Sequence, residues 1–302
     1  MVRSNFLIID GSSLLVRAYF ASAYQGRIMR SSQGVYTNAV FGFFNMLLKC
    51  IDTMKPSHVF VAWDVSRDTF RRQLYPAYKG TRGELPDELH PQFDLTKQVL
   101  QSFRIAQHFD EMYEADDIIG TLARQAAEAN HQVLIVTGDR DALQLVHDNV
   151  TVAIMKKGIT EMNYFTPSSL QEEWGLSPLQ IIDLKGLMGD TSDNIPGVPG
   201  IGEKTAKKLL AEFGSLEQLL DNLHLVKGKM QEKLHTHQEI ARLSKQLATI
   251  VLDVPLSHSL EECQYNIDLE SAADMLKTLE LNRIVNQLER MTHVSSVQTT
   301  LF

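Results

Sequence analysis

The sequence predicts an α/β protein built on a parallel sheet, followed by a smaller helical domain. Three observations carry this. FLIID, HVFVAWD and VLIVTGD are short, continuously apolar and rich in β-branched or aromatic residues, as strands buried on both faces are. Segments of helical period, among them NAVFGFFNMLLKCIDTM and ADDIIGTLARQAAEAN, lie between them. Such alternation makes successive strands parallel, joined by right-handed crossovers with helices on both faces. From about residue 177 the rhythm changes to helical pieces separated by Gly/Pro turns: SPLQIIDLKGLMG, EKTAKKLLAEFG, SLEQLLDNL and MQEKLHTHQEIARLSKQLATI. The last residues, THVSSVQTTLF, read as a polar tail with a hydrophobic tip.

A chain of 302 residues accommodates one large domain, or a large and a small one. Its 44% apolar and 22% charged content fits a globular protein with a real core. No apolar run approaches the roughly 20 residues needed to span a bilayer. The start, MVRSNFLIIDGSS, runs directly into the first strand without the pattern of a secretory leader. A monomeric cytoplasmic protein with no membrane association is expected. Cys50 and Cys263 stand far apart and outside any CxxC spacing, which argues against a disulfide framework or a zinc site.

The formal net charge of −8 disfavours nucleic acid only if the acids are spread over the surface. They are not. Asp10, Asp64 and Asp139 each end one of the three strand segments, and in a parallel sheet the functional crevice lies at the carboxyl ends of the strands. YEADDIIG adds Glu114, Asp116 and Asp117 at a helix start, TGDRDALQL adds Asp141, and MGDTSDN adds Asp190 and Asp193. One aspartate after a strand is usually a turn residue or cap, and EADD alone reads as a solvated helix N-terminus. Nine gathered on one rim would repel one another unless cations held them. Oxygen-only donors suit Mg²⁺ or Mn²⁺, and two such ions about 4 Å apart serve phosphodiester hydrolysis.

Basic segments supply the complement. RRQLYPAYKGTR carries Arg71, Arg72, Lys79 and Arg82 interleaved with Tyr75 and Tyr78, a pattern that fits a grip on a single strand and equally a solvated basic loop. Arg17 follows the first strand by a turn or two of helix, where it is either a residue facing the rim or a plain surface arginine. GVPGIGEKTAKKLL fits neither the P-loop nor the dinucleotide fingerprint. It reads as a turn between two helices. Gly197, Gly200 and Gly202 let backbone N–H groups approach a phosphate, with Lys204, Lys207 and Lys208 close by. Such a hairpin holds backbone without reading sequence.

Taken together, IIDGSSLLVRAYFA, VAWDVSRDTFRRQLYPAYKGTR, YEADDIIGTLA, VTGDRDALQLV and GLMGDTSDNIPGVPGIGEKTA resemble the 5′-nuclease (flap endonuclease) superfamily, particularly the 5′→3′ exonuclease domain of bacterial DNA polymerase I. The resemblance covers roughly residues 4–290. It implies a PIN-like nuclease domain over 1–176 with an arch at about 71–110, a helix–two-turn–helix DNA-binding domain over 177–290, and a flexible tail over 291–302. It also implies two divalent ions. Asp10, Asp64, Glu114, Asp116 and Asp117 would serve one, and Asp139, Asp141, Asp190 and Asp193 the other. Lys79 and Arg82 match the family's phosphate-steering residues and join Asp116 and Asp139 as catalytic candidates. Tyr78 matches a stacking aromatic, and Arg17 and Arg71 further phosphate contacts. Carbonyls in 197–202 are candidates for a K⁺ site. TRGELPDEL departs from relatives that have proline after the arginine, which bears on local arch geometry alone.

The implied activity is 5′→3′ exonuclease and flap endonuclease action on nicked or branched DNA, with removal of RNA primers and flaps at RNA–DNA junctions. The competing readings are a structure-specific DNA-binding protein with little catalysis and a ribonuclease of single strands. The end of the sequence where a polymerase would continue suggests a stand-alone nuclease. QTTLF resembles the bacterial sliding-clamp motif, with Gln298 as a polar handle and Leu301 and Phe302 as the apolar anchor.

Overall fold

The computed structural model describes residues 5–23, 28–66, 68–156 and 161–299. The chain begins with β1 (Asn5–Asp10), α1 (Gly11–Ala23), α2 (Asn38–Met54) and β2 (His58–Asp64). Next come α3 (Phe70–Leu74), α4 (His90–Ser102), β3 (Ala106–Asp110), α5 (Ala115–Glu128) and β4 (Gln132–Thr137). A 3-10 turn, Arg140–Leu145, leads to β5 (Val150–Met155) and β6 (Met162–Phe165).

These strands form one six-stranded sheet in the order β3-β2-β1-β4-β5-β6. Every neighbouring pair is parallel except β5 and β6. The connection from Met155 to Met162 is too short for a crossover, so β6 returns antiparallel. The sheet is thus mixed and mostly parallel. β3 and β6 escaped the sequence reading because they are short and partly exposed, whereas β5 is six residues long with five of them buried, a signal the sequence carried. β3 (AQHFD) has none of its residues buried.

Alternation along β1 divides the core. Phe6 and Ile8 face α5, where Ile118, Ile119 and Leu122 cover them. Leu7 and Ile9 face the opposite side, covered by Leu14, Phe43, Phe44 and Leu47 of α1 and α2. Both faces are buried, as the unbroken apolar strand segments require.

The second region contains α6 (Pro167–Trp174), α7 (Pro178–Met188), α8 (Glu203–Phe213), α9 (Leu216–Asp221), α10 (Lys229–Thr236) and α11 (Gln238–Ala248). The stretch read as one long helix is therefore two, interrupted at His237. Leu184, Leu187, Leu209 and Leu210 continue the α5-side core into this region.

Beyond residue 248 the chain departs from the expected domain boundaries. α12 (Leu269–Thr278) and α13 (Asn282–Thr299) return to the sheet domain. Leu276, Leu281, Ile284 and Leu288 pack in the core formed by α1, α2 and α4, and Arg104 pairs with Asp268 at 2.8 Å. The region expected to be helical domain to residue 290 is therefore split between two bodies, and helix continues through the supposed tail to Thr299. The proposed arch shrinks as well. Val99 and Leu100 of α4 and Phe103 just after it are core residues and β3 is a sheet strand, so within 71–110 only 75–89 and the short connections 103–105 run outside helix and strand. No helix among the described residues is long and apolar enough to cross a membrane.

Candidate active site

The strand order reverses direction between β1 and β4, and a doubly wound sheet opens a crevice at that point. Asp10 ends β1, Asp64 ends β2, and Asp139 follows β4. A cleft of about 1490 Å³ opens there. Seven of the nine acids line it: Asp10, Asp64, Glu114, Asp116, Asp139, Asp141 and Asp190.

Local structure fixes six of the seven. Asp10 accepts from Ser13 N at 2.9 Å and Thr137 Oγ1 at 2.6 Å. Asp64 accepts from Ala115 N at 2.9 Å, at the N-terminus of α5 where the helix dipole favours an anion. Glu114 is the N-cap of α5. Asp139 accepts from the Asp141 amide at 2.9 Å, holding the turn that presents both. Asp190 accepts from Ser192 N at 2.7 Å and Ser192 Oγ at 2.6 Å. Its loop is closed by two glycines in left-handed backbone, Gly189 and Gly197. A Cβ on Gly197 would lie 2.2 Å from Gly189 N, so only glycine permits the closure.

Crowding shows in the titration of these groups. Burial, with Asp64 beside it, raises Asp10 to about 7. Burial, Asp139 and Asp10 hold Asp116 well above the usual carboxylate range, against the pull of Lys79. Burial and Asp139 raise Asp141 to about 7 although Lys185 opposes them. Asp190 is the exception: burial works against ionisation, but the Lys185 ammonium prevails and lowers it to about 2. Among the described residues no three acidic, histidine or cysteine side chains already stand in metal-ligand geometry. The donor set nevertheless fits hard divalent cations: it is all oxygen, and its like charges make cation binding favourable.

Two predicted metal ligands do not line the cleft. Asp117 is fully buried and committed within the protein. It takes two hydrogen bonds from Arg71, at 2.6 and 2.7 Å, and accepts from Val251 N at 2.8 Å and Glu114 N at 3.0 Å. Asp193 is buried beneath Arg82, which contacts it at 2.5 Å, and the Tyr78 hydroxyl, which donates at 3.3 Å. Arg71, expected to meet phosphate, is also buried. Its remaining contacts go to the carbonyls of Leu247 at 2.9 Å and Thr249 at 2.7 Å and to Glu114 at 3.4 Å. Tyr78 reaches the cleft edge but is 5% exposed, with its hydroxyl donating to Glu114 at 3.1 Å, so no ring face is open for stacking.

The other basic candidates are better placed. Lys79 lies in the cleft, 2.9 Å from Glu114, and Arg82 stands on its rim. Arg17 lines the wall and donates to the Lys156 carbonyl. The hairpin lies outside the cleft, although Lys207 reaches its edge while paired to Glu203 at 2.9 Å. Gly202 caps α8 with open space where a side chain would stand, Lys204 is exposed, and Lys233 Nζ lies against Gly200. In this turn the carbonyls of Val198 and Gly202 already accept internal hydrogen bonds, from Ile201 N and from Thr205 and Ala206 N. Gln298 falls at the end of α13, and Leu301 and Phe302 lie outside the described residues.

Sequence reasoning missed Lys185, which ion-pairs with Asp141 and Asp190, and Thr137, which holds Asp10. Their signals were present, a lysine in the helix running into MGD and a threonine in VTGD, but neither residue type marks a site by itself.

Comparison with known proteins agrees with this geometry. Residues 5–175 match the 5'-3' exonuclease N-terminal resolvase-like domain, and residues 176–272 the 5'-3' exonuclease C-terminal SAM fold. DNA polymerase I of Bacillus caldotenax is 45% identical over 290 residues, covering 95% of this chain and 33% of that protein. DNA polymerase I of Bacillus subtilis is 44% identical over 288 residues, covering 95% and 32%. The chain thus spans about a third of the length of these relatives. A bacteriophage T5 flap endonuclease, solved with DNA and metal ions, superposes with a TM-score of 0.67 at 20% identity, covering 96% of this chain and 99% of that one. The catalytic core of Rad2 with DNA substrate gives 0.60 at 17% identity, covering 95% and 92%.

A mostly parallel sheet, a helical SAM-fold domain and an acid-lined cleft at the switch point define a hydrolase of the nuclease class. The chain belongs to the 5′-3′ exonuclease family and is homologous to the 5′-nuclease domain of DNA polymerase I.

Proposed function

We propose that this chain hydrolyses phosphodiester bonds in nicked or branched DNA as a 5′→3′ exonuclease and 5′-flap endonuclease, using two divalent cations. The supporting observation is the convergence of seven carboxylates, from separate strand ends, turns and a helix start, on one cleft with Lys79 and Arg82 at its rim. Cations bound there supply Lewis acidity toward water and the phosphodiester. Asp10, Asp64, Glu114 and Asp116 would hold one ion, and Asp139, Asp141 and Asp190 the other. Lys79 and Arg82 come from the 75–89 segment. Moving from their carboxylate partners to a phosphate, they would offset charge developing on its oxygens. Open backbone at Gly202 and the exposed Lys204 support a grip on duplex phosphate outside the cleft, with a K⁺ ion as a further participant.

The biological substrates on this reading are RNA primers and displaced flaps, and Gln298, Leu301 and Phe302 would dock on a sliding clamp. The deciding assay uses a 5′-flap duplex with Mg²⁺ or with EDTA. Product is expected only with Mg²⁺, and Asp116→Asn is expected to abolish it while retaining DNA binding. Cleavage in EDTA, or full cleavage by the variant, would refute the assignment. Removing residues 298–302 tests the clamp reading: stimulation by clamp should disappear while basal cleavage stays.

A further inference from the structure

We propose that Lys185 is a tethered counter-ion of this centre, holding Asp141 and Asp190 together and competing with a divalent cation for the same carboxylates. The inference rests on the reading of the cleft as a divalent-cation site.

Lys185 occupies the last turn of α7, and its ammonium pairs with Asp141 Oδ1 and, at 2.5 Å, with Asp190 Oδ2. It therefore joins the turn after β4 to the loop after α7. The two oxygens of Asp190 have different occupants. Oδ1 accepts the Ser192 amide and hydroxyl, which leaves Oδ2 as the oxygen facing Lys185. A cation binding Asp141 and Asp190 through those oxygens must displace the lysine.

The backbone beneath Lys185 is fixed. Its carbonyl accepts from Gly189 N at 2.9 Å, and neighbouring Gly186 is packed against Lys245 and Leu216. The flexible part is the four-carbon stem, whose ammonium is a compact charge able to swing aside when a dication replaces it. Lys79 and Arg82 contact Glu114 and Asp193 from the 75–89 segment, but Lys185 projects from a packed helix and stays within reach of its partners after displacement. One lysine thus keeps two like charges assembled in the absence of a cation and lowers the affinity of the cation that follows.

These two effects have opposite signs, and a merely structural lysine would not produce both. The test is calorimetric titration of Mn²⁺ into the full chain without DNA, alongside thermal unfolding in EDTA, for the wild type, Lys185→Met and Lys185→Arg. Lys185→Met is expected to bind Mn²⁺ about tenfold more tightly at the weaker site and to unfold at lower temperature in EDTA. Lys185→Arg should retain wild-type behaviour in both. Lys185→Gln keeps a donor without the charge and carries the same expectation as methionine, so the inference stays exposed if Lys185→Met does not fold. Equal or weaker Mn²⁺ binding by a folded neutral variant would overturn it while leaving the cation site intact. No Mn²⁺ binding by the wild type would overturn the reading of the cleft itself.

Discussion

Arg71 and Asp117 show how a residue's type and its role separate once the chain is folded. Both look like site residues in the sequence, and the fold uses them on each other. The bidentate pair is 2% and 0% exposed at its side chains, and every other contact the two make is also internal. Arg71→Met would strand a buried carboxylate, and a loss of about 3–5 kcal/mol in urea unfolding is expected. The salt dependence of DNA binding should be unchanged, whereas a phosphate contact would remove close to one unit of slope. Asp10 and Asp141 make a second prediction at this scale. Their ordinary value is 3.8, and each is raised to about 7 when folded. Between these values the folded state binds more protons than the unfolded one, so metal-free stability must fall as the pH rises from about 4 to about 7. Asp190 works the other way: its contribution is complete above 3.8 and is lost as the pH falls through about 2. Thermal unfolding in EDTA should therefore show a midpoint that declines toward neutral pH, and Mg²⁺ should remove the decline. A flat profile would contradict the crowding of these carboxylates.

Elements convert scattered acids into a site by ending in the same place. Three strands stop at the cleft, α5 starts there and collects Asp64, Glu114 and Asp116 at its N-terminus, and α7 ends there with Lys185 in its last turn. The loop after α7 is the least forgiving of these pieces. Gly189 and Gly197 touch backbone to backbone, and Val198 N donates to Leu187 O at 2.8 Å to seal the loop. Gly197→Ala forces a Cβ into the Gly189 backbone in a left-handed conformation, a strain of about 1–3 kcal/mol before the clash is counted. Cleavage and the urea midpoint should fall together, and added Mg²⁺ should not restore wild-type activity. An unaffected variant would mean the loop can open without cost to the site.

At the level of the whole molecule, the chain closes on itself. It leaves the sheet domain after β6, builds the helical region, and returns to cover α2 and α4 with α12 and α13. Arg71 ties the return path to α3 and α5 through the carbonyls of Leu247 and Thr249, and Thr121 receives the Val254 amide at 3.1 Å. Leu276, Leu281, Ile284 and Leu288 each bury an aliphatic side chain, a contribution of about 1.5–3 kcal/mol apiece. A chain ending at Asp268 should therefore aggregate or melt far below the intact protein in differential scanning calorimetry. Removal of 298–302 should leave the melting temperature unchanged.

The sequence by itself determined the class of sheet, the three central strands, the acids at their ends and the family. These are local facts: an unbroken apolar strand must be buried on both faces, and parallel strands must send their ends to one edge. β3 and β6 stayed hidden because they are short and partly exposed, while β5 is as apolar and buried as the strands the sequence revealed. Only the tertiary structure decided which acids remain in the cleft and which are spent internally. Asp116 and Asp117 are adjacent in the chain, yet one faces the cleft and the other is enclosed by Arg71 and the Val251 amide. A helix turns each successive side chain through about 100°, and the partners waiting on the inner face come from 46 and 134 positions away in the chain.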